Sequence, residues 1–154
     1  MKNRRKVSVL AALTLMVSTM VLFTGCNQIY KKKLIGVWEV KKVSGVDILP
    51  PSPVDTKVYA YFTDDGTCGT VVKVEQGAIS GIFKGEEAKY EFNNPKLTIK
   101  TPEVSFTLDC KFSGKELILK GKTENEEVSI ELKKVSSPSL NECKNAKKVP
   151  GIGG

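Results

Sequence analysis

Tyr59-Ala60-Tyr61-Phe62-Thr63-Asp64-Asp65-Gly66-Thr67-Cys68-Gly69-Thr70-Val71-Val72-Lys73-Val74-Glu75 is the stretch whose reading decides the fold. Its two halves are rich in β-branched and aromatic residues, which suit a pleated, half-buried surface, and Asp65-Gly66 between them is a strong hairpin signal. Runs of the same kind continue on both sides. Toward the N-terminus lies Leu34 to Val43, followed by a Pro-rich loop, Ile48-Leu49-Pro50-Pro51-Ser52-Pro53. Toward the C-terminus come Glu87 to Phe92, Lys96 to Thr101, Glu103 to Phe112, Glu116 to Lys120 and Glu127 to Val135. Asn93-Asn94-Pro95, Thr101-Pro102 and Ser113-Gly114 supply the turns. Residues 77–85 carry three glycines among apolar residues and read as a frayed strand or a flexible flap.

No amphipathic helix of useful length competes with this pattern, so the chain is expected to be all-β. Eight runs joined in series predict an eight-stranded antiparallel up-and-down barrel over residues 34–135, with closure removing the edges a flat sheet would expose. The period-two reading turns Val40, Phe62, Val72, Tyr90, Phe92, Leu97, Ile99, Phe106, Leu108, Leu117, Leu119, Val128, Ile130 and Leu132 inward. An eight-stranded interior is either filled by such side chains or holds one small ligand, and the sequence leaves both open.

The N-terminus carries a different message. Met1 to Lys6 holds four positive charges and no acid, and Val7 to Phe23 is apolar. This is the n-region and h-region of an export signal; a transmembrane anchor is the competing reading, at the lower edge of spanning length. Leu22-Phe23-Thr24-Gly25-Cys26 ends the stretch with small residues before a cysteine, and polarity begins at once with Asn27. This resembles a bacterial lipobox, although Phe23 stands where Leu is usual. The resemblance implies cleavage after Gly25, a diacylglycerol on the Cys26 thiol, and anchorage on the outer side of a bacterial membrane, at the outer membrane or cell surface. On that reading residues 1–25 are the cleaved signal peptide, 26–33 a tether, 34–135 the barrel and 136–154 a flexible C-terminal tail. The signal takes four of the 24 basic residues and none of the 17 acids, leaving a net charge of +3 rather than +7. No basic patch interleaved with aromatics remains, so nucleic acid is not an expected partner.

Gly36-Val37-Trp38, Phe62 leading into Asp65-Gly66-Thr67, and the closing run Ile130 to Val135 together resemble the lipocalin-like domains of bacterial lipoproteins. The resemblance implies that Trp38 lies across the closed end of the barrel and joins its lining. Two features of many full lipocalins, a C-terminal helix and an Arg over the tryptophan, are not legible here. Lipocalins often staple the tail to the barrel, which implies Cys143 pairing with Cys110 or Cys68; buried free thiols are the alternative.

The expected function is binding of a small hydrophobic or amphipathic ligand in the barrel. The alternative is an interaction protein whose loops contact a partner protein or envelope component around a packed interior. No enzyme is expected. The chain has no histidine, which removes Ser-His and Cys-His catalysis, and Glu86-Glu87 and Glu126-Glu127 read as solvated turns. No cofactor or metal is expected either: without histidine or a CxxC pair a zinc site would need isolated cysteines and carboxylates, and Asp64-Asp65 lack the further oxygen ligands calcium requires.

Overall fold

The computed structural model describes residues 27–44, 46–47, 55–76, 79–122 and 127–148. The signal segment, Cys26, the whole Pro-rich loop and residues 149–154 lie outside the described residues. A helix over residues 27–34, α1, leads into β1 (Gly36–Val43), which forms a small flap with β2 (Val46–Asp47). The main strands follow: β3 (Asp55–Phe62), β4 (Thr67–Gln76), β5 (Ile79–Asn93), β6 (Lys96–Lys100), β7 (Ser105–Ser113), β8 (Glu116–Lys122) and β9 (Glu127–Val135). A short helix α2 (Leu140–Asn145) and a two-residue strand β10 (Lys147–Lys148) complete the described chain.

The fold is all-β in its body, and its eight main strands are hydrogen-bonded into a closed ring. Each pairs antiparallel with its neighbour, in the order β5-β4-β3-β1-β9-β8-β7-β6, and β6 returns to β5. The closing pair β1 and β9 runs in register from Val37 opposite Val135 to Val40 opposite Leu132. The β3–β4 hairpin turns through Asp64, Asp65 and Gly66, with Gly66 at φ +82°, a left-handed conformation glycine adopts without the Cβ penalty. The Asp65 carboxylate accepts hydrogen bonds from the Thr63 hydroxyl and the Thr67 amide, which lowers its pKa to about 2.

Alternation divides the side chains into two layers. Inside lie Leu34, Trp38, Phe62, Cys68, Tyr90, Phe92, Leu97, Leu108, Cys110, Leu117, Leu119 and Leu132. The α1 end is the densest part: Tyr30 and Trp38 both meet Phe112, at centroid distances of 5.9 and 6.2 Å. The Trp38 indole N–H donates to the Leu34 carbonyl at 2.8 Å. Lys134 Nζ sits 5.0 Å from the indole centroid and donates to the carbonyls of Lys33 and Ile35, so a lysine provides the cation over the tryptophan. Burial lowers its pKa.

Four expectations change. Residues 79–85 are the first half of a 15-residue strand rather than a flap, because they pair residue by residue with β4 from Gln76 opposite Ile79 to Val71 opposite Lys84. Residues 27–33 form a helix whose Tyr30 packs on the core, and the Asn27 side chain bonds the backbone of Phe92 and Asn94; they are not a loose tether. Residues 136–148 are built onto the sheet instead of trailing from it. Ser139 and Glu142 form a reciprocal capping box, and β10 adds parallel to β5. The fourth concerns the cysteines. Cys68, Cys110 and Cys143 are all free and buried, and the sheet lies between two of them: Cys110 points inside with Leu108, while Cys143 packs outside against Val37, Tyr59, Tyr61 and Val71.

Candidate functional site

The interior is packed unequally along its length, and the cause is side-chain size. Near α1 the interior is filled by large residues, Trp38, Tyr90, Phe92, Leu97, Phe112 and Leu117. One and two rows further along, β3, β4 and β5 present small ones: the cross-strand pair Cys68 and Ala88, then the pair Ala60 and Thr70. Leu108, Leu119, Ile130 and Leu132 face them from β7, β8 and β9 and do not reach across. A cavity of about 430 Å³ results, lined also by Val40, Val43, Val58, Phe62, Ile99 and Phe106. That size falls within the range of small-molecule sites, and the wall is apolar, as such sites mostly are. Phe106 is 44% exposed and Val104, in the adjoining turn, is 60% exposed, which puts two apolar side chains in solvent near the end opposite α1.

Eight of the residues expected to face inward line this cavity: Val40, Phe62, Ile99, Phe106, Leu108, Leu119, Ile130 and Leu132. Trp38, Tyr90, Phe92, Leu97 and Leu117 instead fill the α1 end. Val72 and Val128 are half-buried on the inward-facing rows, opposite Val58 and Gly121, and line neither the cavity nor the packed end. Ala60, Thr70 and Ala88, the residues that leave the space, escape a search for bulky hydrophobes. Their signal was the alternation itself, which places Ala60 between Val58 and Phe62 and Ala88 two residues before Tyr90.

Glu86 and Glu87 are solvent-exposed as expected, but they lie within β5 and not in a turn. Between Gly69 opposite Glu87 and Val71 opposite Lys84, β5 holds one residue more than β4, a β-bulge at Gly85-Glu86 facing Thr70. Glu86 lines the cavity, and Glu87 points to the outer face. There the Tyr61 hydroxyl donates to Glu87 Oε1 at 2.6 Å and Lys84 Nζ donates to the same oxygen at 3.3 Å. The Tyr61 bond chiefly holds the Glu87 carboxyl below its usual range; burial, with that carboxylate, pushes the Tyr61 phenol upward. Lys84 also donates to the Lys144 carbonyl at the end of α2, tying the C-terminal segment to this wall.

Cys68, Cys110 and Cys143 are buried thiols. Burial raises Cys68 and Cys143 to about 11 and Cys110 to about 12, so all three stay protonated at neutral pH. A second depression, of about 590 Å³, lies on the outer face of β7 to β9 among Thr107, Asp109, Lys120, Lys122 and Glu127. Its charges are of both signs, and Asp109 is already paired with Lys96 at 2.6 Å. The interior cavity is the better candidate because it is walled by the sheet itself.

No protein-family model matches the chain, and no curated protein matches it. Fold and site together define a closed, antiparallel, eight-stranded β protein with an apolar interior cavity at the end opposite its N-terminal helix.

Proposed function

We propose that this chain is a lipid-anchored envelope lipoprotein whose lipocalin-like, up-and-down barrel binds a small hydrophobic or amphipathic molecule in the interior. The observation that carries the reading is the apolar cavity of about 430 Å³ left by Ala60, Thr70 and Ala88. Its presence favours ligand binding over a barrel that serves only as a stand for its loops. The role is carriage or sensing, without catalysis.

The anchor rests on sequence: the basic residues 2–6, the apolar run 7–23 and Gly25-Cys26 follow each other in the order a lipoprotein signal requires. Asn27 is bonded to the sheet at Phe92 and Asn94, so an acylated Cys26 next to it holds the α1 end at the membrane and turns the cavity away from it. Two or more acyl chains give stable attachment where one is marginal.

Native mass spectrometry of the mature protein purified from its own source tests both halves. The expected spectrum shows a diacylglyceryl mass increment on the chain beginning at Cys26, and a co-purified small molecule that Ala88→Phe removes by filling the space. An unmodified N-terminus refutes the anchor. A wild-type protein that carries nothing and takes up no alkyl probe refutes the binding role.

A further inference from the structure

We propose that the ligand is a cationic amphiphile, a molecule of roughly alkyl-ammonium type whose positive head is held by Glu86. This deepens the binding role proposed above and rests on it.

Among the residues lining the cavity, Glu86 is the one that carries a charge; Thr70 offers the one hydroxyl and Cys68 a protonated thiol. The described lining residues contribute no positive charge. Among the described residues Glu86 makes no salt bridge or side-chain hydrogen bond; Glu39, Glu75, Glu87, Glu91 and Asp109 each pair with a lysine, while Asp55, Glu116, Glu127 and Glu131 of the sheet share the unpaired state of Glu86 but do not line the cavity. Its neighbour Glu87 shows the contrast best. Glu87 turns outward to Tyr61 and Lys84, whereas Glu86 borders the cavity at its solvent-exposed rim.

The bulge is what puts it there. With Gly85 and Glu86 both opposite Thr70, the extra residue re-aims the strand so that Glu86 stands at the solvent-exposed rim, at the end of the row that otherwise reads Ala88, Tyr90 and Phe92. Gly85 leaves that approach open: a Cβ there would come within 3.0 Å of the Thr70 hydroxyl. A carboxylate and a hydroxyl thus stand at adjacent positions above an apolar cup. An ammonium group meets both as a donor, and its alkyl chain fills the space between the small wall and Leu108, Leu119 and Ile130. At about 30 Å³ per water-sized group, the cavity holds roughly 14 such groups, the size of a medium-chain amphiphile.

The experiment compares decylammonium, decanol and decanoate, three heads on one chain, by calorimetry on the mature protein anchored in phosphatidylcholine vesicles, with empty vesicles subtracted. Attraction of the ammonium and repulsion of the carboxylate at a partly solvated acid together predict about tenfold tighter binding of decylammonium than of decanoate, with decanol between them. Glu86→Gln should bring the three within about twofold of each other, and Glu86→Asp should keep the preference. Because Glu86 is exposed and unpaired among the described residues, neither variant should alter the thermal melt. Equal binding of all three probes by the wild type, or a preference that survives Glu86→Gln, overturns the assignment of the head group and leaves the cavity a general apolar site. Binding of none of the three overturns the ligand-binding role itself.

Discussion

Gly69→Ala tests whether the outer layer braces the wall of the cavity. A Cβ at position 69 would lie 2.6 Å from Tyr61 Oη, 2.8 Å from Cζ and 2.9 Å from Cε1, inside any tolerated contact. Tyr61 is fully buried and its hydroxyl is held by Glu87, so the phenol has to leave its site or the strands have to separate. Overpacking of this kind costs about 1–3 kcal/mol. Loss of the hydrogen bond to a charged acceptor adds about 1.5 kcal/mol, at the low end because Glu87 is partly solvated. Removing a glycine from a strand returns about 0.5–1 kcal/mol through the unfolded chain. The net expectation is a loss of about 1.5–4 kcal/mol, measured as the shift of the urea midpoint at unchanged m-value. Tyr61→Phe separates the parts: in that background the hydrogen bond is already gone, so Gly69→Ala should cost about 1.5 kcal/mol less than in the wild type, and in a Tyr61→Ala background its cost should vanish or reverse. A Gly69→Ala protein within 0.5 kcal/mol of the wild type would refute the reasoning.

Three further outcomes follow from the thiols and from the orientation. Cys68, Cys110 and Cys143 should resist a maleimide in the native protein at pH 7 and react together once urea unfolds it; fast labelling of any one of them contradicts its burial. Their folded pKa values of about 11, 12 and 11 lie above the ordinary thiol value of 9.0, so the folded state keeps protons that the unfolded state releases. That stability is fully present below pH 9 and is lost as pH rises toward 11–12, and the melting temperature should fall over that range, less steeply when all three are replaced by Ala. Val104→Cys, exposed at the end opposite α1, should label with a membrane-impermeant maleimide equally fast in the vesicle-anchored lipoprotein and in a Cys26→Ser form free of membrane; strong protection in the anchored form would reverse the proposed orientation.

How far the sequence discloses this arrangement depends on the length scale of each signal. Alternation over five or more residues is robust, which is why Leu97, Leu117, Leu119 and Leu132 could be turned inward from spacing alone. The hairpin at Asp64-Asp65-Gly66 was equally plain, since the left-handed Gly66 leaves a compositional mark. The bulge left none: one extra residue in β5 reverses the phase of everything before it, and residues 79–85 therefore read as irregular although Ile79 to Lys84 pair without a break. Helix α2 is only six residues long, too short for periodicity to show, yet Ser139 and Glu142 stand three apart as a capping box requires. The cavity was the least visible feature, because it is made by what Ala60 and Ala88 lack. A list of inward hydrophobes describes a filled interior and an emptied one in nearly the same terms.

The weak wall inside is also the clasped wall outside. Cys68, Thr70, Ala60 and Ala88 give β3, β4 and β5 little to pack against in the interior, and an apolar void forfeits the contacts that would hold its lining. On the other side of the same strands lie Tyr59, Tyr61, Val71 and Ile82, covered by Cys143, Leu140 and Ala146 and locked by the Tyr61, Glu87 and Lys84 hydrogen bonds. Strands β6, β7 and β8 have no such cover among the described residues, and they carry the leucines that fill the interior. Burial is thus moved from the inner to the outer face where a cavity is kept and held inside where it is not. The C-terminal segment is on this account part of what keeps the cavity open: it stabilises the wall that cannot be stabilised from within without filling that space.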